Sequence, residues 1–156
     1  MEMADFKNSP AAADKHGPVG AWDVSRVTDF CRLFEDCSLF NEDLSGWQVS
    51  QAKTMRSMFN GAKAFNQPIE GWDMRQVESM ETMLANATAF NQPIGKWNVG
   101  RVKSMKEMLS GAATFNQSIK EWKVGKDTNV DNMLWRAPAF EKCNAPWAKA
   151  GAYRNY

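Results

Sequence analysis

The sequence predicts an α/β fold, a short curved solenoid of about five 25-residue strand-turn-helix repeats with parallel short strands on the concave side. Two observations lead there. Trp22, Trp47, Trp72, Trp97, Trp122 and Trp147 recur every 25 residues without a slip. Other columns keep the same interval: Phe40, Phe65, Phe90, Phe115 and Phe140, then Asn41, Asn66, Asn91 and Asn116, a column that Glu141 breaks. A fixed period of this length means one unit repeated and stacked, because a unit so small cannot bury its apolar face alone.

Residues 66–90 stand for the unit. Asn66-Gln67-Pro68 predicts a turn, since Pro fixes φ and Asn bonds nearby backbone groups. Residues 69–74 predict a short strand, with Trp72 and Met74 two apart on one face. Val77, Met80, Met83, Leu84 and Ala87 follow at helical spacing, with Glu78, Ser79, Glu81, Thr82 and Asn86 between them. That pattern predicts a short amphipathic helix, N-capped by Ser25 and Ser50 in the first units and closed by Gly61, Asn86 or Gly111. Strands stack at about 4.8 Å and helices at about 8–10 Å, so such an array must curve with its strands inside. Residues 1–20 form an N-terminal extension or cap, 21–140 the five units, and 141–156 a C-terminal cap.

The recurring residues are expected to be structural. Trp22, Trp47, Trp72, Trp97 and Trp122 and the Phe column are core, each Trp being followed two residues on by an apolar partner. Asn41, Asn66, Asn91 and Asn116 are expected to form a side-chain ladder along the stack. The Met columns fill the helix face.

Stretches such as FNQPIEGWDMRQVESMETMLANATAF and FNQPIGKWNVGRVKSMKEMLSGAATF resemble the mycoplasma-lipoprotein-type repeat of the BspA-like leucine-rich-repeat proteins. The resemblance runs over about residues 20–140, and the motif is long and recurs in phase. It implies a leucine-rich-repeat-like solenoid, an interaction role that is often adhesive, and no enzymatic activity.

Composition narrows the function classes. The chain has 156 residues, 44% hydrophobic, with a net charge of +1. That length suits one domain with a real core. No Lys/Arg stripe shows along the sequence, which argues against a nucleic-acid partner. No apolar run is long enough for a transmembrane segment. Cys31, Cys37 and Cys143 form no disulfide framework and no close Cys/His cluster, so neither metal nor cofactor is expected. The single His, His16, has no catalytic company, and the pairs Glu35-Asp36 and Glu42-Asp43 suit a solvated face better than acid/base work. Residues 1–14 carry no apolar signal segment or lipobox Cys, which favours an intracellular or organellar location over the cell surface.

Specificity is expected where the repeat varies. Asp23, Gln48, Asp73, Asn98 and Lys123 follow each Trp, and Ala21, Gly46, Gly71, Lys96 and Glu121 precede it. Alternation points both sets outward. The last unit decays, with Trp135 out of phase and then Trp147, Tyr153 and Tyr156, aromatics that either cap the array or dock a partner. The expected function is a non-catalytic scaffold or accessory subunit that binds other proteins within a multi-subunit assembly. The alternative is a secreted or surface-anchored adhesive repeat that binds host protein or glycan.

Overall fold

The structure, a computed structural model, describes residues 17–153. Units of 25 residues stack on one another, but their backbone is neither strand nor α-helix. Among the described residues the helical pieces are short 3-10 turns, Val19–Ala21, Lys142–Asn144 and Ala150–Tyr153. The β pairing is a chain of isolated parallel bridges, Asp29 to Thr54 to Ser79 to Ser104 to Asn129. The strand-turn-helix expectation is thereby overturned. The predicted concave row of strands goes with it, because the curvature argument needed unequal strand and helix spacings.

Hydrogen bonding explains the difference. In an α-helix each N–H would donate to the carbonyl four residues back. Here alternate N–H groups leave the unit. Met80, Thr82, Leu84 and Asn86 donate to the carbonyls of Ser104, Lys106, Met108 and Ser110 in the next unit, at 2.7–2.9 Å. The N–H groups between them close tight turns within the unit, Met83 to Met80, Ala85 to Thr82 and Ala87 to Leu84, at 3.1–3.2 Å. The same two sets recur in the unit before, where Met55, Ser57, Phe59 and Gly61 donate to Ser79, Glu81, Met83 and Ala85.

Left-handed residues at two fixed places make this alternation possible. One column is Arg32, Ser57, Thr82, Glu107 and Asn132, with φ between 50° and 59°. The other is Asp36, Gly61, Asn86, Gly111 and Arg136, with φ between 53° and 73°. A non-glycine residue there costs about 1–2 kcal/mol, and each new inter-unit bond returns about 0.5–1.5 kcal/mol. Gly61 and Gly111 are needed twice over, since a Cβ would also collide with Asp36 Oδ1 or Asn86 Oδ1 of the unit before. The glycines and Asn86 thus set a left-handed turn inside a stack rather than ending a helix.

The predicted inside faces are inside through the middle units, whereas Trp22 and Phe40 at the N-terminal end are half-buried. Val77, Met80, Met83, Leu84 and Ala87 are fully buried, as are Phe65, Phe90 and Phe115. Phenyl rings of the Phe column stack at 5.8–6.0 Å between centroids. Indole rings stack at 6.1–6.4 Å for Trp47 on Trp72, Trp97 on Trp122 and Trp122 on Trp147. Residues 69–74 are a turn in place of the predicted strand, closed by Trp72 N–H on the Ile69 carbonyl at 3.2 Å.

Two side-chain ladders tie the units. Trp47, Trp72, Trp97, Trp122 and Trp147 each donate Nε1–H to a carbonyl 28 residues earlier, those of Val19, Leu44, Ile69, Ile94 and Ile119, at 2.9–3.1 Å. The Asn column accepts along the stack, the N–H of Asn66, Asn91, Asn116 and Glu141 bonding Oδ1 of Asn41, Asn66, Asn91 and Asn116 at 2.9–3.0 Å. Gln67, Gln92 and Gln117 add Nε2 bonds to the carbonyls of Asn41, Asn66 and Asn91. Where the Gln column becomes Lys142, the Asn144 amide reaches Asn116 Oδ1 at 2.8 Å instead.

Two substitutions test the ladders. Asn91→Ala removes the acceptor for Asn116 N–H and one of the two acceptors for Gln117 Nε2, and thermal denaturation should show a loss of about 1–3 kcal/mol. An unchanged melting temperature would mean that the Asn column carries no load. Trp97→Phe keeps a buried ring but removes one of the two donors on the Ile69 carbonyl, leaving the Trp72 N–H, and urea titration should register a loss of about 0.5–1.5 kcal/mol.

Candidate functional site

The outward rows beside the Trp ladder form the candidate interaction face. Ala21, Gly46, Gly71, Lys96 and Glu121 are exposed, and so are Asp23, Gln48, Asn98 and Lys123, with Asp73 half-buried. A cleft of about 620 Å³ opens among Lys96, Asn98, Glu121 and Lys123, with Trp97 and Pro93 in its walls. A second cleft, of about 580 Å³, shares Asn98 and is lined by Ser50, Asp73, Arg75, Gln76 and Arg101. The two clefts lie side by side along the variable rows.

Three of the five residues after Trp also hold the backbone. Asp23, Asp73 and Asn98 each accept, through Oδ1, the N–H two residues on, from Ser25, Arg75 and Gly100, at 3.0–3.1 Å. These are Asx turns, and they use Ser25 as a backbone donor where a helix cap was expected. Hydrogen bonds from Ser25 hold the Asp23 carboxyl below its ordinary range. The Arg75 guanidinium, paired with Asp73 at 2.6 Å, does the same for Asp73. Gln48 and Lys123 carry no such duty among the hydrogen bonds of the described residues, so that row is only partly free for contact.

The C-terminal aromatics divide. Trp147 continues the indole ladder, packed on Trp122 and bonded to the Ile119 carbonyl. Tyr153 packs against the core, its hydroxyl 3.5 Å from the Ala145 carbonyl and its ring 5.8 Å from Lys142 Nζ. Burial pushes the Tyr153 phenol up. The segment around it caps the last unit through Asn132 and Leu134, whose N–H groups bond the carbonyls of Gly151 and Ala152. Trp135 is half-buried with the Arg136 guanidinium 4.3 Å over its ring. Tyr156 lies outside the described residues, as does His16.

The acidic pairs serve the surface. Glu35 accepts from Asn60 Nδ2 at 3.2 Å and meets Arg32 at 3.6 Å. Asp43 accepts the Ser45 N–H at 2.8 Å, a bond that lowers its carboxyl. Among the described residues no group of three or more His, Cys, Asp or Glu side chains is placed to hold a metal ion. No helix there is long and apolar enough to cross a membrane.

One feature escaped sequence reading. The stack gathers Lys53, Arg75, Arg101 and Lys103 on one edge, from three successive units, around Gln76 and Glu78. Gln76 Oε1 accepts from Lys53 Nζ at 2.8 Å and from Arg101 Nη1 at 3.0 Å. The Lys103 hydrogen bond, with Lys53 and Arg101 nearby, pulls the Glu78 carboxyl down. These cations fall in three columns of the repeat, Lys53 and Lys103 sharing one that Glu78 interrupts, so no run and no wholly basic column in the sequence shows them. Folding the sequence at 25 residues and tallying adjacent columns is the signal that would have found them.

No curated protein and no solved structure matches the chain. The family described as "Mycoplasma protein of unknown function, DUF285" matches residues 6–92 and 69–154, two overlapping stretches that span nearly the whole sequence. A chain built throughout on its 25-residue beat, from the indole ladder to the capped last unit, therefore belongs to that mycoplasma-type repeat family.

Proposed function

We propose that this chain is a non-catalytic protein-protein interaction module, a repeat scaffold that serves as a peripheral subunit of a larger assembly. The carrying observation is the division of labour around each Trp. From Trp47 to Trp122 the indole is buried and bonded, whereas the residues on either side are mostly exposed and differ from unit to unit. A rigid frame that repeats its inside and varies its outside suits recognition of another surface. The cleft beside Lys96 and Lys123 gives that surface relief and charge. The likeness of the repeat to BspA-like proteins supports an interaction role as well.

The adhesive alternative rests on that same likeness. Glycan binding through stacked indoles would need open Trp faces, and Trp47, Trp72, Trp97 and Trp122 are 3–4% exposed. That burial favours a protein partner over a sugar.

Lys96→Glu with Lys123→Glu is the direct test, since both side chains are exposed and lie at the cleft. In size-exclusion chromatography of native extract, the unaltered chain should elute within a larger complex and the variant should elute free. The melting temperature of the isolated variant should stay within the equivalent of about 0.5 kcal/mol. Elution of the unaltered chain as a lone protein, or an undiminished complex with the variant, would sink the proposal.

A further inference from the structure

We propose that the edge formed by Lys53, Arg75, Arg101 and Lys103, with its adjoining cleft, docks an extended acidic peptide segment of a partner protein. This deepens the interaction reading above and rests on it. The cluster sets four cations against the carboxylates of Asp73 and Glu78, whereas the whole chain carries a net charge of only +1. The excess is therefore local.

Gln76 marks the centre of the site. Its neutral amide oxygen is shared between the Lys53 ammonium and the Arg101 guanidinium. A carboxylate placed between those two cations would set a full negative charge against ionised donors that now meet only a neutral oxygen. Arg75 is already held in a fork by Asp73, with Nε at 2.9 and 3.1 Å from the two carboxylate oxygens. Arg101 has no such carboxylate, and it lines the cleft. Lys53 and Arg101 are thus the cations held most weakly.

The shape fits an extended chain. Ser50 and Gln51, then Asp73, Arg75 and Gln76, then Asn98, Gly100 and Arg101 line the cleft, so it runs along three successive units. Two steps at about 4.8 Å make roughly 10 Å, the reach of about three extended residues. Gly100 stands where the two units before carry Ser50 and Arg75, and it brings no side chain into the third unit's part of the cleft. Ser50 and Gln51 supply side-chain partners for a peptide backbone.

Chemistry favours a peptide over nucleic acid. Asp73 and Glu78 stand among the cations, where they would repel a continuous phosphate backbone but tolerate discrete carboxylates. Trp72 and Trp97, next to Asp73 and Asn98 of the cleft, are buried and offer no open face for base stacking.

The test uses the isolated full chain and a fluorescein-labelled hexaglutamate peptide, read by anisotropy at low salt and again with added salt. The peptide should bind, and added salt should weaken it. Lys53→Gln with Arg101→Gln should weaken binding about tenfold or more. Lys96→Glu with Lys123→Glu, at the other cleft, should leave it within about twofold. Thermal melts of both variants control for folding. Absence of binding at low salt, equal binding by the Lys53/Arg101 variant, or tighter binding of a single-stranded oligouridylate than of hexaglutamate would each overturn the inference. Because the readout needs no native complex, its failure leaves the chromatographic test of the interaction module standing.

Discussion

The rest of the structure depends on one bond: a backbone N–H reaching the carbonyl of the next unit. Between the third and fourth units it is made by Met80, Thr82, Leu84 and Asn86. Once those groups point along the stack, an α-helix is impossible, and left-handed residues are needed to turn every second amide outward. The Phe and Trp columns then fall into register, since units tied at one spacing bring identical rings over one another. The Asn ladder satisfies backbone groups that this pairing leaves over, among them the Asn116 N–H, and the indole ladder gives turn carbonyls such as that of Ile69 a second donor.

Which residues lie inside was legible, and the path of the backbone was not. The spacing of Val77, Met80, Met83, Leu84 and Ala87 reports one buried face. A succession of tight turns at this pitch buries the same residues as a helix would, so periodicity alone cannot separate the two. Part of the answer was written in the column Asp36, Gly61, Asn86, Gly111, whose residue types tolerate positive φ. The companion column Arg32, Ser57, Thr82, Glu107, Asn132 carries no such signature, and there the stack overrides local preference.

The candidate site divides in the same way. From Trp22 to Trp122 the residues beside each Trp are exposed except for the half-buried Asp73, although the strand whose alternation led to that expectation is absent. The Asx turns at Asp23, Asp73 and Asn98 give those side chains a structural duty as well as an outward position. The basic edge depends on contact between successive units and between neighbouring columns, as the bonds of Lys53 and Arg101 to one Gln76 oxygen make plain. At the last unit the column identities fail but their bonds persist, Glu141 N–H and the Asn144 amide taking up the positions of the ladder. Trp147 and Tyr153 serve that closure.

Nuclear Overhauser contacts among the backbone protons of residues 77–87 and 102–112 test the central claim most directly. The account predicts close contacts between protons about 25 positions apart, such as those around Leu84 and Met108, together with coupling constants at Thr82 and Asn86 that report positive φ. An unbroken series of contacts between residues three and four apart through 77–87, with negative φ at both positions, would mean that an α-helix is there and would contradict it.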